Sequence, residues 1–189
     1  MQRKARDVET LDLLSGLSRQ KLELKVWRMA RAGRNPSHPS QPKGRWDDGS
    51  FDVLYTACDR DGACAELHYH LTRGQPVFPS QLQICLYEFQ LQLSSAFVFE
   101  SVEGLAPFGI EAQKYGSFDY ARLKEEYAPT QKLGEACQFL GADGLLVPNA
   151  RWACQNTVVF AENIAVAGLT LIADHGPMDL RAWGRLHNR

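Results

Sequence analysis

Arg28 stands in the run Lys25 to Arg31, where alternation puts it on the same face as Val26 and Ala30. An arginine on an apolar strand face keeps its charge and therefore requires an anionic partner. Glu66 is the internal candidate and a bound anion the external one. A second arginine lies in Gly44-Arg45-Trp46, at the end of a long loop, where the glycine permits close backbone approach. Two guanidinium forks framing one cleft suit a pyrophosphate, which they grip through paired hydrogen bonds. Glu66 flanks the apolar stripe of Ala63, Leu67 and Leu71. It reads either as a boundary residue of a helix or as the acid of the same cleft. Asn149 and Arg151 follow a short apolar strand, and Pro148, which has no backbone N–H to donate, ends that strand and exposes them.

The elements that must position these residues follow from periodicity. Asp7 to Leu24 carries Leu11, Leu14 and Leu17 at helical spacing and predicts one or two short amphipathic helices suited to packing or dimerisation. Lys25 to Arg31 predicts a strand, followed by a loop from Gly33 to Gly49 that is long enough to suggest a functional role. A strand at Val53 to Ala57 precedes a helix ending near Leu71, with Asp59 or Asp61 as its N-cap. The alternation Leu82, Ile84, Leu86 shifts phase to Phe89, Leu91, Leu93 and implies a bulge or a break. Thr130 to Leu140 reads as a helix capped by Gly141, and strands at Gly144 to Val147, Thr157 to Phe160 and Leu169 to Ala173 complete the chain. Strands interspersed with helices, without regular βαβ alternation, point to a mixed α+β fold. The division expected is an N-terminal helical segment, residues 1–24, and a single domain, residues 25–189.

Composition narrows the function. A formal net charge of -1 over 189 residues gives no bulk attraction to nucleic acid or membrane, although a local basic pocket is compatible with it. No stretch approaches the roughly 18 to 20 apolar residues of a membrane span, and the start lacks a signal-peptide core, so a cytoplasmic location is expected. The 5 cysteines contain no CxxC and suit reduced, buried thiols. GxGxxG, GxxxxGK[ST] and GxSxG are absent, which removes support for a Rossmann site, a P-loop and a hydrolase elbow. Cys64, Glu66, His68 and His70 cluster without a second ligand pair, so no metal is expected. Asp174-His175 reads as a strand-end turn, and Phe139, Trp152, Phe160 and Trp183 read as core.

Taken in order, Trp27-Arg28, Gly44-Arg45-Trp46, Val53 to Ala57, Ala63-Cys64-Ala65-Glu66 and Asp143 to Arg151 resemble the successive blocks of the RES family, named for an arginine, a glutamate and a serine. The resemblance runs from about Val26 to Phe160. Two positions depart from it: Asn149 stands where the family has serine, and Asp47 follows Gly-Arg-Trp where asparagine is usual.

The resemblance implies a split, mixed β-sheet similar to that of ADP-ribosyltransferases, with NAD⁺ as substrate in its cleft. It implies the toxin of a RES–Xre toxin–antitoxin pair, neutralised by an Xre-like helix-turn-helix antitoxin. Arg28 and Arg45 would hold the phosphates, Tyr55 would pack on the nicotinamide end, and Glu66 would bond the nicotinamide ribose. Asn149, beside Arg151, would take the serine's polar contact. Glu66 and Arg28 would carry catalysis, by NAD⁺ hydrolysis or phosphorolysis. ADP-ribosyl transfer to a protein and a non-catalytic binding module of the same fold stand as alternatives. A ribonuclease is disfavoured by the charge balance and the lack of a His-based acid–base pair.

Overall fold

The computed structural model describes residues 6–73, 83–117 and 123–187, with side chains of the last stretch described from Tyr127 onward. A helix α1 (Val8–Ser15) precedes strand β1 (Gln20–Arg31). After the long loop come β2 (Val53–Ala57) and α2 (Arg60–Thr72). Strand β3 (Ile84–Val98) leads through a 3₁₀ turn (Glu103–Phe108) to α3 (Leu123–Phe139). Then β4 (Gly144–Pro148), β5 (Gln155–Phe160), β6 (Leu169–Pro177) and α4 (Leu180–His187) close the fold. The architecture is mixed α+β, as the pattern predicts.

The strands form two antiparallel triplets, β1-β3-β6 and β2-β5-β4. They join at two seams. The last residues of the long β3 pair in parallel with β4, from Ala96↔Gly144 to Val98↔Leu146. On the opposite side β1 meets β2 through one register pair, Trp27↔Ala57, and there the strands part. The alternation of β2 and β5 explains the layering. Val53, Val158 and Phe160 face a core shared with Leu14, Trp46 and Leu133, whereas Leu54 and Val159 pack with Val26, Phe89 and Leu91 between the triplets.

The predicted caps form. The Asp59 carboxylate accepts the Asp61 and Gly62 backbone N–H groups at 2.8 and 3.0 Å. Gly141 takes φ +78° beyond α3, where the Ala142 N–H closes on the Cys137 carbonyl.

Several expectations are corrected. Among the described residues of the N-terminal segment only Val8–Ser15 is helical, because Lys21-Leu22-Glu23-Leu24-Lys25-Val26 alternates with period 2 and extends β1 backward. The boundary expected between residues 24 and 25 thus falls inside β1, and Leu14 is fully buried in the main core. Of the bulge or break expected along β3, the bulge is found: the strand runs on unbroken while its register with β6 shifts between Glu88 and Phe89. Ile84 to Phe89 is buried on both faces, so alternation lapses there, and the irregularity lies in the register with β6; Leu82 lies outside the described residues. Asp174-His175 is not a turn but part of β6, with His175 Nε2 2.9 Å from Glu88, which also pairs with Lys25 at 2.8 Å. Phe139 is 49% exposed rather than core, and the Arg6 guanidinium covers its ring at 3.8 Å. Helix α4 has no counterpart in the sequence reading. It packs Trp183 against α2, with the indole N–H donating to Asp61 at 2.8 Å.

Helix α3 reaches the loop before β2 through Gly134. A Cβ on this residue would stand 2.0 Å from the Trp46 carbonyl oxygen. Alanine is the better helix former by about 1 kcal/mol, so propensity alone favours Gly134→Ala. The clash reverses the sign, and a loss of roughly 1–3 kcal/mol is expected from overpacking. Urea unfolding of the variant checks this; a gain in stability would show that the close approach is not limiting.

Candidate active site

A cleft of about 460 Å³ opens where β1 and β2 part. Strand β1 contributes Trp27, Arg28 and Met29; the long loop contributes Ser40 and Pro42 to Trp46; β2 contributes Tyr55, Thr56 and Ala57. Helix α2 adds Glu66, Leu67 and His70, Arg73 follows its end, and Tyr127, Arg151 and Asn156 complete the wall. Of the residues singled out from sequence, Arg28, Arg45, Tyr55, Glu66 and Arg151 converge here. Asn149 does not line the cleft.

Arg28 carries out what its strand face dictates. Burial lowers its guanidinium to about 10, and its Nη1 is enclosed without a hydrogen-bond partner. The internal pair with Glu66 does not form. Glu66 Oε1 instead accepts the Asn156 side-chain amide at 3.1 Å, and Oε2 lies 3.9 Å from His70 Nε2.

The Gly-Arg-Trp loop is built around Asp47, which is fully buried. Its carboxylate accepts the Lys43 and Gly44 N–H groups, both at 2.8 Å, and the Tyr55 hydroxyl at 2.8 Å. Three donors converge on two oxygens, a demand that an asparagine NH₂ group would not meet. The Tyr55 hydroxyl accepts the Trp46 N–H at 2.9 Å, so it is consumed by the loop while its ring lines the cleft. Burial, reinforced by Asp47, pushes the Tyr55 phenol well above its ordinary range. Gly44 is required here because a Cβ would sit 2.9 Å from that hydroxyl. Gln131 of α3 donates to the Gly44 carbonyl at 2.7 Å.

The turned-in loop leaves Arg45 between the rings of Tyr115 and Tyr127, at 4.7 and 5.1 Å. Arg151 lies over the Tyr69 ring at 3.3 Å and donates to the Gly116 carbonyl. Among the described residues, Arg28, Lys43, Arg45, Arg73 and Arg151 therefore line the cleft against the single carboxylate of Glu66. His70 does not add to this charge. Desolvation, reinforced by Arg73, Arg151 and Arg45, lowers it to about 4. Such a surplus of guanidinium in a partly enclosed space fits a polyanion and nothing of its own sign.

His70, Arg73 and Asn156 were not singled out as ligands from sequence. Glu66 and His70 stand at i and i+4 of α2 and Arg73 follows its last turn, so the helix period carried a signal for His70. Asn156 offered none, since its place depends on the pairing of β5 with β2, Asn156 opposite Ala57.

A family model for the RES domain matches residues 25–181, and the chain belongs to the RES domain family. Among solved structures it is similar to the crystal structure of the M. tuberculosis MbcT–MbcA toxin–antitoxin complex, with a TM-score of 0.79 at 16% identity, covering 98% of this chain and 100% of that one. At that identity the likeness is one of fold. Comparison with curated proteins gives no match.

Two outcomes are expected from this electrostatics. Arg28→Met removes a desolvated charge that has no internal partner, so the ligand-free Tm should stay level or rise, whereas loss of a buried ion pair would cost roughly 3–5 kcal/mol. Inorganic pyrophosphate, an anion of the class this cleft fits, should raise the Tm of the parent protein and leave that of the variant unchanged. Differential scanning fluorimetry reads both, and a collapse of the ligand-free Tm would assign Arg28 a structural partner.

The second concerns pH. His70 takes a proton below its ordinary value of 6.5 when the chain is unfolded but resists it to about 4 when folded. The unfolded state then binds more protons in that window, so the stability is fully present above 6.5 and falls as pH drops toward 4. His70→Gln should flatten this slope in urea titrations at pH 7, 6 and 5; an unchanged slope would assign it to other groups.

Proposed function

We propose that this protein cleaves the nicotinamide–ribose bond of NAD⁺, by hydrolysis or phosphorolysis, and acts as the toxin of a cytoplasmic toxin–antitoxin pair. The observation that carries the reading is the enclosed, partnerless Arg28 Nη1 in the wall of a cleft with four further cationic side chains and one carboxylate. The pyrophosphate of a dinucleotide supplies the anion that Arg28 Nη1 lacks, with Arg45 of the same cleft as its second cation. The Tyr55 ring offers a flat surface to the nicotinamide end, and Glu66 is left to face the nicotinamide ribose.

The chemistry suits those residues. The C1′–N bond of NAD⁺ already carries positive charge on its leaving group, so nicotinamide departs neutral with the bonding pair, and the ribose takes oxocarbenium character. A carboxylate aimed at that charge stabilises it as it develops. Water or phosphate then adds through oxygen at C1′, and the water's proton passes to solvent. The paired guanidinium forks keep the substrate phosphates fixed while the charge forms. Family membership supports this reading, and the likeness to a toxin–antitoxin complex supports a dedicated antitoxin as partner; that it is of the Xre-like helix-turn-helix kind is what the resemblance implies.

The test is nicotinamide release from NAD⁺ by purified protein, with and without phosphate. Glu66→Gln keeps the shape but removes the charge at the reacting centre, so kcat should fall about 10²- to 10³-fold while NAD⁺ affinity, measured by titration calorimetry, stays near the parent value. Equal turnover in both proteins would remove Glu66 from the mechanism. Labelled ADP-ribose appearing on protein instead of in solution would turn the reading to ADP-ribosyl transfer.

A further inference from the structure

Glu66 is held by a residue that sequence reasoning passed over, and the orientation of that residue is dictated from outside the cleft. The chain of contacts begins at the Arg151 and Trp152 backbone N–H groups, which donate to Asn149 Oδ1 at 2.7 and 3.0 Å. A backbone N–H can only donate, so it selects the oxygen of Asn149 and turns the amide nitrogen the other way. That Nδ2 donates to Asn156 Oδ1 at 2.8 Å. The Asn156 amide is then turned in its own right, and its Nδ2 donates to Glu66 Oε1 at 3.1 Å. The far end agrees with the near end, because an ionised carboxylate can only accept. A longer bond of 3.4 Å from Asn149 Nδ2 to the Gly62 carbonyl ties the same amide to the helix that bears Glu66.

We propose that Asn149 and Asn156 form a polarised amide relay in which Asn156 is the positioning residue for Glu66 and Asn149 fixes the direction of its donor. The inference rests on the cleavage reading for its catalytic consequence, not for its geometry. Glu66 Oε1 is occupied by Asn156, so Oε2 is the oxygen that faces substrate. Asn149, buried and away from the cleft wall, acts without touching the ligand.

Polarity gives a test that sterics do not. Asn149→Asp is isosteric and keeps the two backbone bonds, but it replaces the donor with a second acceptor. Asn156 must then turn its NH₂ toward the new carboxylate and present its oxygen to Glu66. Asn156→Asp places a like charge against Glu66 directly. Each variant should lower kcat for nicotinamide release roughly 10- to 100-fold, the range for losing a hydrogen bond to a charged group, with KM for NAD⁺ changed less than about threefold. A residue that only holds the turn would instead lower the Tm and leave kcat of the folded fraction intact.

An independent reading comes from the Asn156 side-chain amide signals in ¹H–¹⁵N spectra of the ligand-free protein. They should move on Glu66→Ala, and the Asn149 side-chain amide signals should move in the same variant although residue 149 makes no direct bond to Glu66. Unmoved Asn149 signals in Glu66→Ala, or wild-type kcat in Asn149→Asp, would overturn the relay. If the parent protein releases no nicotinamide, the cleavage reading fails, and the amide signals still decide the relay.

Discussion

Strands β1 and β2 share one register pair, Trp27↔Ala57, and every feature of the cleft depends on how briefly they touch. Continued pairing would use the backbone groups beyond it and fill the space with side chains of the two faces. Instead β1 stays bound along β3 while β2 stays bound to β5, so each strand is stable without the other. The opening needs no strained backbone, because each strand keeps a full ladder on its remote edge. Arg28 lies one residue past the last shared pair, on the face that elsewhere carries Val26 into the core. It is therefore desolvated by the fold while remaining open to a ligand.

The Arg28 guanidinium stays without an internal counter-ion because the neighbouring carboxylates are engaged elsewhere. Glu66, the one carboxylate of the described wall, is bonded to Asn156, and Asp47 is saturated by two backbone N–H groups and the Tyr55 hydroxyl. Arg45 and Arg151 lie over aromatic rings, whose faces favour a cation without cancelling its charge. Arg28 is thus a charge that the described residues leave uncompensated. Such frustration is a common property of sites whose missing partner is a ligand.

Strand β2 and helix α2 were legible in the sequence because local rules decide them: an apolar run of strand length, and an aspartate N-cap ahead of an apolar stripe. The convergence of Arg28, Arg45, Tyr55, Glu66 and Arg151 was legible only through the ordered family blocks, since no local spacing brings residues of β1, a loop, a helix and a distant turn together. The extension of β1 back to Gln20 was available in the alternation from Lys21 to Val26 and was outweighed by helical leucine spacing just before it. The two-sided burial of β3 was not available, because Glu88 inside Ile84 to Phe89 reads as a solvent-facing residue until Lys25 and His175 are seen to pair with it. Helix α4 is 8 residues long and carries Gly184, so its stability comes from Trp183 packing on α2 rather than from propensity.

The two departures from the family pattern have one physical origin. At position 47 the surroundings present three donors, so a residue with two accepting oxygens fits, and an asparagine would set its NH₂ against one of them. At position 149 the surroundings present donors on one side and the Asn156 oxygen on the other, so a residue with one acceptor and one donor end fits, and an aspartate would fail. A serine at 149 has both capacities on a single atom, one bond closer to the backbone, which shortens its reach toward Asn156. Acid at one site and amide at the other are thus set by the direction of the neighbouring backbone N–H groups, and the same logic that closes the loop bearing Arg45 also orients the carboxylate of Glu66.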